Sequence, residues 1–154
     1  MRKKALLCIL LLATASPLFA QSTSAAPATA AQQAAQNQFN QQMVKAALRV
    51  TQLVDDGKIG DIWDGASPIA KSAVTRAQFI KQISADRAAM GALTSRTLYS
   101  ITYSQSDGKS LPAGVYANIR FTSVFANAKA GVRELVSFHL ESNKNWLVAG
   151  YTLH

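Results

Sequence analysis

A stretch near the C-terminus decides the fold class of this chain. Residues 115–153 read VYANIRFTSVFANAKAGVRELVSFHLESNKNWLVAGYTL. Three runs in this stretch alternate apolar and polar residues, and short loops at 127–131 and 142–145 separate them. A repeat of two residues is typical of a β-strand that buries one face. The stretch therefore predicts three antiparallel strands whose apolar side chains form one continuous face.

The residues upstream supply a fourth strand and the helices that cover this face. Alternation recurs at 97–104, and Asp107-Gly108 marks a hairpin loop behind it. Further upstream the apolar spacing changes to three and four residues, which predicts helices at about 36–54, 69–74 and 75–91. This order predicts an α+β fold, in which N-terminal helices pack on one face of a curved four-stranded antiparallel sheet.

The first twenty residues have the layout of a secretory signal peptide. Three basic residues at 2–4 precede an apolar run at 5–13, and a cleavage site follows Ala20. The apolar run is shorter than the roughly 20 residues that span a bilayer, so no transmembrane segment is expected after signal removal. We expect a signal peptide at 1–20 and a periplasmic or secreted location.

The rest of the chain divides into a tether and a domain. Residues 21–38 are rich in Ala, Gln and Ser and carry no charge, which predicts a flexible tether. A single α+β domain is expected at 39–154. Cys8 is the only cysteine and lies inside the apolar run, where it does not fit a lipidation site. We therefore expect a mature domain without disulfides.

The charge of the chain argues against a nucleic-acid partner. The formal net charge is +8, and three of its 16 Lys and Arg residues lie in the expected signal, which leaves 13 against 8 Asp and Glu, or +5. After the signal these basic residues are scattered and form no run. Nucleic-acid-binding domains cluster their Lys and Arg on one face or along one helix. The expected partner is instead an unknown envelope protein or a small ligand.

Several short motifs resemble one family of bacterial exported proteins. Arg87, Met90-Gly91, Ser95-Arg96 and the final WLVAGY at 146–151 are similar to the domain-of-unknown-function family DUF4019, over about residues 46–153. The resemblance implies an NTF2-like or cystatin-like cone, in which helices pack into a curved sheet. It implies no activity, cofactor or catalytic residue.

Two functions from different classes remain open on the sequence alone. The first is a non-enzymatic binding or protein-interaction module. The second is a small pocket enzyme of the isomerase or hydratase kind, for which the candidates are Tyr99, Tyr103 and Asp86. His139 alternates with apolar neighbours and is expected at the surface. No metal site is expected, because the two histidines lie fifteen positions apart on different segments.

Charged residues on apolar faces call for a structural explanation. Arg87 interrupts the apolar side of the last helix, and Glu134 falls on the inward face of its strand, so we expect the two to form a buried pair. Arg96 is assigned to the same ligand-binding or structural group. Asp55 and its neighbours are attributed to helix capping and turn formation.

The outer face of the predicted sheet is less polar than a face exposed to water usually is. Strict alternation places large apolar residues there, which favours a contact surface or a homodimer joined through the sheet. The expected members of this surface are Tyr116, Val124, Leu135, Leu147 and Tyr151.

Overall fold

A computed structural model describes residues 29–153 as four helices followed by four strands. The helices are α1 Ala30–Asp55, α2 Ile59–Asp64, α3 Pro68–Ala73 and α4 Arg76–Met90. The strands are β1 Leu93–Ser106, β2 Gly114–Phe125, β3 Ala128–Leu140 and β4 Trp146–Leu153. The predicted α+β class is confirmed. The expected signal peptide, the first eight residues of the expected tether and His154 lie outside the described residues.

Side-chain caps fix where the helices begin. Thr29 and Gln32 form a reciprocal capping box at the start of α1, and Thr75 and Gln78 form the same box at α4. Because of the first box, and because Ala and Gln are good helix formers, α1 already begins at Ala30. The prediction of a flexible tether is therefore wrong for residues 30–38, which are helical and exposed.

The four strands form an open antiparallel sheet in the order β1-β2-β3-β4, so β1 and β4 are its edges. The helices cover one face of this sheet, and the core lies between the two layers. Its buried members include Ala47, Val54, Ile59, Ile62, Phe79, Ile83, Ala117, Ile119, Phe121, Val136 and Phe138. The closer likeness to an NTF2-like or cystatin-like cone stays a prediction. In the described part of the chain, no helix has the length and apolar character that crossing a membrane requires.

A bulge in β4 changes which of its side chains face the helices. Ser137 pairs with Gly150, but Phe138 pairs with Val148, so Ala149 is an extra residue without an opposite partner. Alternation is therefore offset after the bulge, and Tyr151 pairs with the buried core residue Val136. The prediction that Tyr151 lies on the outer face is wrong, since the tyrosine is 6% exposed and belongs to the core.

A second bulge lies in β1 at Tyr99, between the pairs Leu98–Phe121 and Ser100–Arg120. Tyr103 consequently stacks on Phe39 of α1, with ring centroids 5.9 Å apart. Tyr99 instead lies on the outer face, where the Arg133 guanidinium is 3.9 Å from its ring centroid. The two tyrosines therefore lie on opposite faces of the sheet.

Candidate functional site

Four charged side chains meet between the helices and the sheet and form what we call the charge cluster: Asp55, Arg87, Arg96 and Glu134. Asp55 ends α1, Arg87 lies in the last turn of α4, and Arg96 and Glu134 come from β1 and β3. Two arginines balance two carboxylates, so the cluster is formally neutral. It joins the ends of both long helices to two strands of the sheet.

Arg96 is the centre of the cluster, because it binds both carboxylates. Its Nε and Nη2 donate to the two carboxylate oxygens of Glu134, at 2.5 Å and 3.1 Å. Its Nη1 donates to Asp55 at 2.8 Å. Two parallel bonds of this kind use the planar fork of the guanidinium and are among the strong hydrogen bonds of proteins. Burial alone would lower the pKa of Arg96, but the hydrogen bonds to Asp55 and Glu134 outweigh it and raise that pKa.

Glu134 has no exposed surface, yet hydrogen bonds satisfy its carboxylate. Ser123 of β2 and Tyr151 of β4 each donate a hydroxyl proton to it, both at 2.6 Å. Together with the two bonds from Arg96, each carboxylate oxygen accepts two hydrogen bonds. Burial and the negative charge of Glu134 raise the pKa of Tyr151 far above its usual range. All four strands thus contribute a polar group to one buried network.

Arg87 lies at the solvent side of the cluster, with 16% of its side chain exposed. Its Nε donates to Asp55 at 2.8 Å and its Nη1 to the carbonyl of Gly91 at 2.6 Å, while its guanidinium carbon is 4.7 Å from the ring centroid of Phe125. The prediction of an Arg87–Glu134 pair is therefore wrong. Arg87 pairs with Asp55, and Arg96 of β1 pairs with Glu134.

Asp55 belongs to this cluster rather than to the turn that follows α1. The earlier attribution to capping and turn formation is wrong for this residue, since both of its oxygens bind arginines. A signal for this role exists in the sequence. A carboxylate at a helix C-terminus is disfavoured by the helix dipole unless a cation compensates it, and Asp55 directly follows the buried Val54.

A second polar group lies at the far end of β3 and contains Ser67, His139 and Glu141. His139 Nδ1 is 2.9 Å from Glu141 Oε1, and the Ser67 hydroxyl donates to the same oxygen at 2.6 Å. In a serine-hydrolase triad the histidine lies between the serine and the acid. Here the acid lies between the other two, so His139 does not act as a base toward Ser67. The hydrogen bonds from Ser67 and then His139 lower the pKa of Glu141.

His139 is buried, at 7% exposure, so the prediction of a surface histidine is wrong. The Tyr116 ring lies against it with a centroid distance of 5.0 Å, and Gly114 faces its Nε2 closely enough to exclude any side chain there. Tyr116 is itself 5% exposed, and its hydroxyl donates to the carbonyl of Pro112 at 2.8 Å. The residues before β2 therefore cover this part of the outer face.

The remaining candidates occupy separate parts of the domain. Asp86 lies half-buried on α4, whereas Tyr99 and Tyr103 lie on opposite faces of β1. The structure thus does not bring the three proposed catalytic residues into one pocket. Three residues of the expected outer-face surface are half-buried, namely Val124, Leu135 and Leu147. The prediction is wrong for Tyr116 and Tyr151, which are buried. Among the described residues, no group of three or more His, Cys, Asp or Glu side chains is placed to hold a metal ion.

An open groove runs between α1 and the free edge of β1, and we call it the edge groove. It has a volume of about 460 Å³. Its apolar part consists of Val44, Leu98 and Ile101, and its polar part of Asn37, Asn40, Gln41 and Lys45. Leu98 is 44% exposed, although it is a large apolar residue. At the end of the groove Tyr103 donates its hydroxyl proton to Asn40, at 2.8 Å.

Residues 46–151 match the family described as "Protein of unknown function (DUF4019)". This match covers more than half of the chain. The chain belongs to the DUF4019 family. A search of curated proteins and a search of solved structures each found no match to this DUF4019 protein. The whole charge cluster and the edge strand β1 lie within the matched residues, whereas the part of α1 that borders the edge groove lies before them.

Proposed function

We propose that this DUF4019 protein is an exported protein of the cell envelope that acts as a non-enzymatic interaction module. In this proposal it contacts a partner protein through the edge strand β1 and the edge groove. The observation that carries the proposal is the free edge of β1, together with the exposed apolar side chains beside it.

The first support is the backbone of β1 itself. The strand pairs with β2 on one side only. In an antiparallel sheet, alternate residues of an edge strand direct their N–H and C=O groups away from the neighbouring strand. Those groups are ready to pair with another extended chain, which is a common mode of protein–peptide recognition. From Ser100 to Ser106 the register with β2 is regular, so no bulge interrupts this part of the edge.

The second support is the distribution of exposed apolar side chains. Five large apolar residues of the described chain are exposed, and three of them, Leu98, Tyr99 and Tyr103, lie on β1. A fourth, Leu48, is on α1 one turn beyond Val44 of the edge groove. Tyr99 lies on the outer face of β1, and the other three lie on its helix side. Single exposed apolar residues are ordinary, but several grouped along one edge mark a contact surface. In the charge cluster, by contrast, the ionisable groups bind one another.

Photo-crosslinking in the native bacterial host tests the interaction. A photoreactive amino acid is placed at Ser100, on the free edge, and at Ser72 on the exposed side of α3 as a matched control. We expect an adduct with a protein, which includes a second copy of this chain, at position 100 and none at position 72. Adducts of equal yield at both positions, or none at position 100, would refute the interaction function.

Export is tested separately, because it depends on residues 1–20. We expect the protein in the periplasmic or secreted fraction, with the mass of a chain that begins at Gln21 or a few residues later. A full-length mass in the cytoplasmic fraction would contradict this part of the proposal.

A further inference from the structure

We infer that the partner of β1 is a second copy of this chain, joined edge to edge by antiparallel pairing about a two-fold axis at Thr102. The inference rests on the proposed function, in which β1 is the contact surface, and adds the identity of the partner. Such a dimer has one continuous sheet of eight strands, with the helices of both copies on the same face.

The two edges of the sheet differ in how they are protected. At β4, the N–H of Ser67 donates to the carbonyl of Val148 at 2.8 Å, so the segment before α3 covers that edge. At β1, residues 97–106 contain no charged residue and no proline. Proteins usually block a free edge with lysine, proline or an inward charge, because an unblocked edge pairs with another strand. The first half of β1 has the inward charge of Arg96 and bulges at Thr94 and Tyr99, but the segment from Ser100 to Ser106 is unblocked and is therefore available to a further strand.

The residues of β1 complement themselves when the strand is turned about Thr102. In this register Thr102 faces Thr102 of the second copy, and Ser100 faces Ser104. On the helix side, Ile101 of each copy faces Tyr103 of the other. Pairs of an aromatic with a β-branched residue and pairs of hydroxyl residues are favourable cross-strand neighbours. The paired segment itself carries no charge, and the nearest charge at the axis is Arg120 of β2, which donates to the Thr102 hydroxyl at 3.0 Å.

Other centres of symmetry fit the strand less well. A two-fold axis perpendicular to the sheet places the helix side of one copy next to the helix side of the other. Residues that face each other then differ by an even number of positions, so the axis lies between two copies of the same residue. An axis at Tyr103 would set Ile101 against Gln105, an apolar residue against an amide. An axis at Ile101 would involve the bulged Tyr99, whose extra residue interrupts the ladder. Thr102 is the centre that avoids both the pairing of Ile101 with Gln105 and a bulge in the central pairs.

The edge groove and α1 are arranged to receive this neighbour. An added strand at the β1 edge would direct its inner side chains toward the groove between β1 and α1, whose apolar part is Val44, Leu98 and Ile101. Residues 30–38 of α1 are exposed along their whole length. Asn40 of the same helix contacts Tyr103 close to the proposed axis. These first turns extend beyond the part of α1 that packs on its own sheet, and their exposed side chains are available to a second copy.

Charge-swapped variants at Thr102 test the register and the partner together. Light scattering after size-exclusion chromatography should give a dimer mass for the wild-type protein at high micromolar concentration. Thr102→Lys should be monomeric, because it places like charges opposite each other and beside Arg120, which lies 3.0 Å from the Thr102 hydroxyl. Thr102→Glu should weaken the dimer less, because Arg120 of the same copy balances its charge. An equimolar mixture of the two should recover the dimer. Thr122→Lys, the same change on the exposed outer face of the interior strand β2, should stay dimeric.

A cysteine placed at the axis gives a second measurement that does not depend on affinity. In a Cys8→Ser background, Thr102→Cys should form an intermolecular disulfide under mild oxidation, since residues on the axis face each other. Ser104→Cys should form it much more slowly, because its opposite residue in this register is Ser100. A faster bond at Ser104, or a wild-type protein that is monomeric at every concentration, would overturn the self-pairing. A monomer whose position 100 still crosslinks to a different protein would leave the proposed interaction function standing.

Discussion

Arg96 and Glu134 bind each other across a strand that belongs to neither of them. Arg96 lies on β1 and Glu134 on β3, with β2 between them, yet Nε and Nη2 of the arginine reach both carboxylate oxygens at 2.5 Å and 3.1 Å. Asp55 joins them from α1. The pair therefore fixes the position of the edge strand relative to the helix layer. Arg96 lies on the same strand as Ser100, four residues before it, so the cluster anchors the strand that carries the proposed contact surface.

The first prediction concerns the loss of Arg96. Arg96→Ala leaves Glu134 and one oxygen of Asp55 buried without a cation, and breaking a buried pair in this way costs about 3–5 kcal/mol of unfolding free energy. Urea unfolding measures it. Arg76→Ala is the matched control, since the Arg76–Asp64 pair has about half of each side chain exposed and should contribute far less. Equal losses in the two variants would contradict the assigned role of the cluster.

The second prediction concerns Tyr151 at high pH. Its pKa is raised in the folded protein, so the unfolded tyrosine ionises from about pH 10 upward while the folded one stays protonated. Stability is therefore fully present below pH 10 and falls as the pH rises above it. Tyr151→Phe should lower stability by about 1–3 kcal/mol at neutral pH, because Glu134 loses a hydrogen bond. Above pH 10 the variant should lose stability less steeply than the wild type.

Unfolding midpoints in urea, combined with the ultraviolet absorbance of ionised tyrosine, follow this change. Burial also raises the pKa of Tyr103 and Tyr116, so some alkaline dependence remains in the variant. Identical alkaline slopes in the two proteins would show that Tyr151 ionises in the folded state.

The third prediction concerns Glu141 in acid. The pKa of this carboxyl lies below 4.5 in the folded protein, and therefore below its value in the unfolded chain. Its contribution to stability is present above pH 4.5 and is lost as the pH falls through the folded pKa. Glu141→Gln should be less stable than the wild type at neutral pH, and the difference should shrink as the pH falls below 4.5.

Two serine variants assign the acid effect to its cause. Ser67→Ala removes the hydrogen bond that contributes most to the lowered pKa of Glu141, together with the cap of α3, and should weaken the acid dependence. Ser72→Ala changes an exposed serine of the same helix and should leave that dependence as in the wild type. An acid dependence that is unaltered in Ser67→Ala would contradict the proposed linkage.

The fourth prediction compares two glycines. Gly114 has a φ of 148°, and a Cβ there would collide with the ring of His139, so Gly114→Ala should cost about 2 kcal/mol or more. Nothing lies within 4 Å of the Cβ position of Gly150, and Gly150→Ala should stay within about 1 kcal/mol of the wild type. Thermal unfolding of the two variants in parallel distinguishes them. Similar midpoints would mean that His139 moves aside at little cost.

The element order was predictable because it depends on local patterns. The capping box of Thr75 and Gln78, the turn at Gly57 and the alternation in β2 and β3 are each read within a few residues. They place the helices before the strands and predict short antiparallel connections. The start of α1 was predicted at about residue 36, six residues after its observed start at Ala30, although the second capping box at Thr29 was present in the sequence. In that case a helix-start signal was overlooked among small residues.

The partners of the charged residues were not predictable in the same way. Bulges at Tyr99 and Ala149 each add one residue to a strand, and every side chain beyond them changes its face relative to strict alternation. For this reason Tyr151 faces the core rather than the outer face, and Tyr99 lies on the face opposite to Ile101 and Tyr103. The pairing of Arg87 with Asp55, and of Arg96 with Glu134, depends on how α1, α4 and β1 pack, at separations of 32 and 38 residues.

The sequence by itself determined the fold class and the DUF4019 membership, because both depend on the order and spacing of residue types along the chain. It also determined that residues 97–106 of the edge strand carry no charge. The tertiary structure alone decided that this uncharged run lies at a free edge beside α1, and which arginine satisfies which buried carboxylate. Local patterns specify which faces are apolar, but they do not specify which strand is outermost or where a bulge offsets the faces. Those two features depend on contacts between distant residues.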